Sequence, residues 1–173
     1  DAFDSSKLPA SNRWGYFPSV SAAWRISGED FMSNTKGWLT DLKLRASYGM
    51  TGNFQIGNYT HLSTMDTDNY ILGSGNGSET SGYKPTGVEN PDLTWEKTGM
   101  ANVGIDANFL NGYITLTAEY YNSMTTDMLL NVPIPHLTGY STTLMNIGKV
   151  NNRGVELQIG SSHSYENGLG YSF

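Results

Sequence analysis

The sequence predicts an all-β protein whose antiparallel strands form part of a wide β-barrel that crosses a membrane. Three observations predict this fold class: apolar and polar residues alternate with a period of two, short and long connections follow each other in turn, and aromatic residues lie at both ends of the apolar faces. Helical periodicity of comparable strength is absent, although residues 28–38 are consistent with a short helical turn. The predicted strands lie near residues 16–27, 39–51, 94–109, 112–130, 147–161 and 169–173.

The first two predicted strands each have one apolar face. In SVSAAWRIS, at 19–27, the apolar side chains are Val20, Ala22, Trp24 and Ile26. In LTDLKLRASYGM, at 39–50, they are Leu42, Leu44, Ala46, Tyr48 and Met50. Because successive side chains of a strand point to opposite faces, the residues between them form a second, polar face that carries both signs of charge.

The later strands repeat this pattern. ANVGIDANF, at 101–109, alternates five apolar residues with Asn102, Gly104, Asp106 and Asn108. ITLTAEYY, at 114–121, and GVELQIG, at 154–160, do the same, and GLGYSF at the end of the sequence begins another strand. We expect the sequence to be a piece of a longer chain, because six strands cannot close around a polar interior.

Alternation alone does not distinguish a membrane barrel from a soluble β-sandwich, since both have strands with one apolar face. Connection length favours the barrel, because long and compact connections alternate. The long polar connections, 52–92 and 131–146, are predicted to be outer loops, as are residues 1–15. The compact connections, 28–38, 110–112 and 162–168, are predicted to face the periplasm. Trp24 and Phe109 lie near the short connections, and Tyr48 and Tyr120 lie near the long ones. Two aromatic girdles around an apolar band are typical of a membrane-spanning barrel, so we expect a lipid bilayer around it.

The polar faces then predict the lumen wall. The charged residues expected to line it are Arg25, Lys43, Arg45, Asp106, Glu119 and Glu156. The formal net charge is −6 and no basic block is present, so nucleic acid is excluded as a partner. The sequence contains no cysteine and no apolar run of the roughly 20 residues that a membrane helix requires.

Several long segments resemble, in order and spacing, the C-terminal barrel half of the SusC/RagA-like TonB-linked outer-membrane transporters of Bacteroidota. These segments are NRWGYFPSVSAAWRIS, WLTDLKLRASYGMTGN, NPDLTWEKT, EYYNSMTTDMLL with the following VPIP, and NIGKVNNRGVELQI. The resemblance implies a plugged barrel of about 22 strands in the bacterial outer membrane. It also implies a SusD-like lipoprotein over the outer mouth, a TonB complex that acts through the plug, and import of an oligosaccharide or peptide. We expect the plug domain and the TonB-contacting segment to lie outside these 173 residues.

No pattern indicates an enzyme, a metal site or a cofactor. His61, His136 and His163 lie in separate connections, and Asp66, Asp68 and Asn69 open a calcium-loop pattern that lacks its glycine. The ligand-binding candidates are aromatic residues of the long connections: Tyr59, Tyr70, Tyr83, His136 and Tyr140. The structural alternative is that these rings pack loop against loop. The alternative function is a soluble extracellular β-sandwich that binds carbohydrate through the same tyrosines. Residues 73–82, rich in Gly, Ser and Asn, are predicted to form a loop tip.

Overall fold

The computed structural model of the chain describes residues 1–73, 77–164 and 170–173. In chain order, its strands are β1 (Ala2–Asp4), β2 (Trp14–Tyr16), β3 (Ser19–Arg25), β4 (Leu39–Asn53), β5 (Met65–Thr67), β6 (Tyr70–Leu72), β7 (Ser78–Thr80), β8 (Tyr83–Pro85), β9 (Glu96–Phe109), β10 (Ile114–Thr126), β11 (Leu129–Pro133), β12 (Thr142–Asn146), β13 (Lys149–Ser164) and β14 (Gly170–Ser172). The 3-10 helices are Ile26–Gly28, Asp30–Thr35, Leu110–Gly112 and His136–Thr138. Within these described ranges, no helix has the length and apolarity needed to span a bilayer.

The main sheet contains six strands in the order β14-β13-β10-β9-β4-β3, and each neighbouring pair is antiparallel. The four central strands contain 16, 13, 14 and 15 residues in that order, from β13 to β4. Each is longer than the 9–11 residues that a tilted strand needs to cross a membrane. The predicted all-β antiparallel architecture is confirmed.

The register separates the two predicted faces. One row across the sheet reads Trp24, Leu44, Ile105, Ala118 and Leu157. The adjacent row on the other face reads Ala23, Arg45, Gly104, Glu119 and Glu156. The apolar face is uncovered: Val155 is 74% exposed and Val103 is 56% exposed. No second sheet packs on it in the described part of the chain, so the β-sandwich alternative is wrong.

The short connections lie at one end of the main sheet and the long ones at the other, as antiparallel strands require. Leu110–Gly112 joins β9 to β10 in a tight turn in which Asn111 has φ 57 and Gly112 has φ 92. The predicted loops 52–92 and 131–146 contain short strands that pair as β5 with β8, β6 with β7 and β11 with β12. The predicted strand 112–130 is interrupted, because Asp127 has φ 56 and turns the chain between β10 and β11.

A small hydrophobic core lies at the long-connection end of the sheet; we refer to it as the mouth core. Its buried members are Leu8, Phe17, Ile56, Leu93 and Trp95. Phe17 and Phe54 both meet the Trp95 ring edge-on, with centroids 5.3 and 4.6 Å away. The Trp95 Nε1 donates a hydrogen bond to the Arg13 carbonyl at 3.2 Å. The mouth core therefore joins the N-terminal segment to both ends of the connection between β4 and β9.

Side-chain amides tie further backbone to the mouth core. Asn146 Nδ2 donates to the carbonyls of Thr94 and Asp127, each at 2.8 Å, and its Oδ1 accepts from the Thr94 N–H at 2.8 Å. Asn90 Nδ2 donates to the Leu144 carbonyl at 2.8 Å. These bonds join both long connections, so their bases are fixed relative to the sheet.

Candidate functional site

The six predicted lumen residues all lie on the polar face of the main sheet, and most of them form ion pairs. Arg25 Nε lies 2.7 Å from Asp41 Oδ1, which also accepts a hydrogen bond from Ser27 Oγ at 2.5 Å. Lys43 Nζ lies 3.6 Å from Asp106 Oδ2. Arg25 and Lys43 are opposite each other in the register, yet each is paired with its own carboxylate. The cations of this face are therefore compensated locally.

Arg45 connects three strands across the polar face. Its Nε lies 3.4 Å from Asp106 Oδ2 on β9, and its Nη2 lies 2.6 Å from Glu119 Oε2 on β10. Gly104 separates Arg45 from Glu119 in the register, and a Cβ there would lie 2.9 Å from the Arg45 Cζ. The guanidinium group crosses β9 over this position, where a side chain would force it to shift.

Glu156 lies beside this ion-pair group without joining it. It is directly opposite Glu119 in the register of β10 and β13. No cation lies within ion-pair distance of it among residues 1–73, 77–164 and 170–173. Two carboxylates facing each other are tolerated where water can solvate them, and Glu156 lies at an exposed position. The polar face therefore carries negative charge without an ion-pair partner at β13.

The five predicted ligand-binding residues lie at the long-connection end, but they do not form one site. Tyr70 on β6 and Tyr83 on β8 belong to different two-stranded sheets and are 68% and 71% exposed. Tyr59 has φ 59 in the turn before β5, and His136 begins the 3-10 helix His136–Thr138. Of the five, only Tyr140 makes a loop-to-loop hydrogen bond, from its hydroxyl to the Pro85 carbonyl at 3.0 Å. The predicted tip at 73–82 includes residues 74–76, which lie outside the described residues.

This contact forms one side of a cleft between the two long connections. The cleft has a volume of about 550 Å³ and is lined by Asp66, Lys84, Pro85, Thr86, Gly139 and Tyr140. Its lining combines an aromatic ring, a hydroxyl and both signs of charge, a composition that can bind a polar ligand through hydrogen bonds. The sequence did not reveal that Asp66, Lys84 and Thr86 line a cleft with Tyr140, because only loop packing brings them together.

The calcium-loop pattern is not assembled. Asp68 pairs with Lys84 at 3.4 Å, and Asn69 Nδ2 donates to Glu79 at 2.6 Å. In the described part of the chain, no three His, Asp or Glu side chains converge as metal ligands.

Aromatic side chains border the apolar face at both ends. At the short-connection end, Trp38 stacks on Phe109 with centroids 6.0 Å apart, and Trp24 Nε1 donates to Glu29 Oε1 at 2.9 Å. At the other end, Tyr48 and Tyr120 are 48% and 46% exposed. An apolar body with a polar tip is suited to a membrane–water interface, so the apolar face has the profile of a lipid-facing barrel wall.

A two-faced antiparallel sheet with these girdles defines a membrane β-barrel. The sequence matches the family model "TonB dependent receptor-like, beta-barrel" over residues 1–173, and the chain belongs to this family of outer-membrane proteins. A TonB-dependent receptor of Formosa agariphila is 37% identical over 155 residues, and the TonB-dependent receptor SusC of Bacteroides thetaiotaomicron is 36% identical over 157. Each alignment covers 90% of this chain, which spans 14% and 16% of those two proteins.

Solved structures give the same relationship. The RagAB peptide importer in its closed-closed state is similar with a TM-score of 0.81 and 32% identity. A further RagAB peptide transporter structure has a TM-score of 0.80 and 34% identity. These similarities cover 94% and 95% of this chain and 17% of each RagAB chain. The predicted resemblance to SusC and RagA, and the predicted outer-membrane location, are confirmed.

Proposed function

We propose that this chain forms part of the wall and outer mouth of an energy-dependent importer that takes up an oligosaccharide or a peptide. The observation that carries the proposal is the separation of the sheet faces: the apolar face suits lipid, and the ion-paired face suits a hydrated lumen. Membership of the TonB-dependent receptor family and similarity to RagAB support active import over passive diffusion.

In this proposal the long connections face outward and receive the substrate. The cleft at Tyr140 is the proposed point of first contact, and the SusD-like lipoprotein implied by the resemblance to SusC covers the mouth. Exposed apolar side chains on the short strands, including Tyr70, Ile71 and Tyr83, offer it a contact surface. The substrate then passes along the polar face of the main sheet.

Energy dependence is tested by uptake in cells that carry the full-length protein. Import should stop when TonB is deleted or the membrane is de-energised, because a plugged barrel does not pass a large ligand by diffusion. Fluorescent oligosaccharides and peptides, tested in parallel, identify the substrate class. Undiminished import without TonB contradicts active transport and leaves a passive pore.

Orientation is tested by labelling single cysteines in intact cells. Leu137→Cys, at a fully exposed position beside the cleft, should react with an impermeant maleimide, whereas Ser33→Cys in the Asp30–Thr35 helix should not. The reverse pattern contradicts the proposed topology.

The cleft is tested with two variants, one in its lining and one three positions away in the same loop. Tyr140→Phe removes the hydroxyl that contacts Pro85 and should lower the apparent affinity for substrate. Leu137→Ala, which alters a fully exposed side chain outside the cleft lining, is the matched control and should leave uptake unchanged. Equal uptake curves for the two variants rule out the cleft as a capture site.

A further inference from the structure

Three cationic side chains lie on the apolar face of the main sheet, one in the row of Tyr48 and two beyond it. The register places Lys97, Thr126 and Lys149 in one row across β9, β10 and β13. Arg153 lies two positions beyond Val155 along β13, in the row of Ala101 and Asn122. Alternation therefore turns all three cations to the same side as Val155 and Tyr120.

These cations lack the carboxylate partners that the cations of the opposite face have. Arg25, Lys43 and Arg45 are all ion-paired, whereas none of the ion pairs within the described residues includes Lys97, Lys149 or Arg153. The apolar-face positions of β3, β4, β9, β10 and β13 carry no Asp or Glu. Asp127, which follows Thr126, forms no ion pair with the three cations. Positive charge is therefore uncompensated on this face of a chain whose net charge is −6.

The spacing of the three side chains suits a single anionic head group. Lys97 and Lys149 are two strands apart, which is roughly 10 Å, and Arg153 is four residues from Lys149, which is roughly 13 Å. Asn122 and Asn151, which are hydrogen-bonded to each other at 2.8 Å, lie between them and add polar groups. Lys149 and Arg153 are exposed, and the half-buried Lys97 stem can lie along the sheet with its ammonium group extended.

The position along the strand indicates a lipid and not a soluble anion. Arg153 lies in the row of Tyr48 and one row beyond Tyr120 on this face, at the level where the hydrocarbon band ends and head groups begin. Below it, the surface consists of Val155 and Val103, against which an acyl chain can pack. A ligand that fits both parts has phosphate above and hydrocarbon below.

We propose that Lys97, Lys149 and Arg153 form a binding site for the phosphate groups of an anionic glycolipid in the outer leaflet. This inference rests on the proposed orientation, in which the long connections face outward. Arg153 contacts the phosphate nearest the acyl chains, and the two lysines bind acidic groups farther from the bilayer. The site fixes the barrel wall at β9, β10 and β13 to its surrounding lipid.

The test uses the full-length transporter in detergent and fluorescent bisphosphorylated lipid A as the probe. The wild type should bind it at least tenfold more tightly than the dephosphorylated form. The triple variant Lys97→Gln, Lys149→Gln and Arg153→Gln should lose at least tenfold in affinity, and Arg153→Gln alone should lose part of it. Lys36→Gln, which removes one exposed charge at the short-connection end, is the matched control for Arg153→Gln and should bind like the wild type.

Each other outcome overturns the proposal. Equal binding of phosphorylated and dephosphorylated lipid removes the role of phosphate. Equal affinity of the triple variant and the wild type removes the role of the three cations. Competition by inorganic phosphate at the same concentration as the lipid indicates a free-anion site. A detergent micelle has no inner or outer leaflet, so lipid binding is read independently of the cysteine-labelling test of orientation.

Discussion

Substitution of neighbouring residues on β4 tests which face of the sheet meets lipid. Leu44 lies in the middle row of the apolar face, between Trp24 and Ile105. Leu44→Arg puts a charge against hydrocarbon, at a cost of about 2–4 kcal/mol near the bilayer midplane. Leu44→Ala removes apolar surface without adding charge, and it should cost less than Leu44→Arg.

Arg45→Leu is the opposite change at the next position. It removes the pairs with Glu119 and Asp106, whose side chains are 21% and 33% exposed. Partly hydrated ion pairs contribute about 0.2–1 kcal/mol each. Asp106 keeps its contacts with Lys43 at 3.6 Å and Thr117 at 3.2 Å. The expected loss is therefore about 1 kcal/mol.

The free energy of unfolding of the full-length protein should be measured by urea titration in lipid vesicles. Leu44→Arg should lower it by more than Arg45→Leu does. If Arg45→Leu is equally or more destabilising, then the assignment of the polar face to water is wrong.

Three further substitutions test contacts that position the wall and the mouth. Gly104→Ala should lower the free energy of unfolding by about 1 kcal/mol in the same titration, because the new Cβ would displace the Arg45 guanidinium from Glu119. Gly49→Ala is the control and should be tolerated, since the nearest atom to its Cβ would be 3.4 Å away. Equal effects of the two substitutions contradict the role of Gly104. Asn146→Ala removes the side-chain partner of two carbonyls and one N–H and should destabilise the long connections by about 1–3 kcal/mol. The loss should appear as faster amide hydrogen exchange at Thr94. Unchanged exchange there refutes the anchoring role of Asn146. Trp95→Ala empties the mouth core, at a local cost of about 3–5 kcal/mol, and should expose residues 54–95 to protease while the barrel stays folded. Trp38→Ala, at a 55% exposed position, is the control. Equal protease resistance of the two variants contradicts the prediction.

The sequence predicts the main sheet well because each long strand carries its own signal. In β4 the alternation from Leu42 to Met50 defines the strand and both of its faces, and the charged residues it assigns to one face do lie together there. The side-chain pattern is local, so one strand is sufficient to read it.

The mouth could not be predicted in the same way. The strands from Met65–Thr67 to Tyr83–Pro85 contain three residues each, too few to show a period. Leu8 and Trp95 are 87 residues apart in the chain, and no periodic pattern connects them. The cleft depends on the packing of Tyr140 against Pro85, which is a property of the folded loops and not of either segment.

The mouth core has a consequence for how such a protein can diversify. Phe17, Ile56 and Trp95 fix the ends of the connection between β4 and β9, and the residues from 57 to 92 extend from this base. Insertions, deletions or exchanges within that span leave the strand register untouched, since the buried apolar side chains of the mouth core lie outside it. A mouth built in this way can acquire new binding specificities by replacing loop sequences on an unchanged attachment, without refolding the membrane wall below.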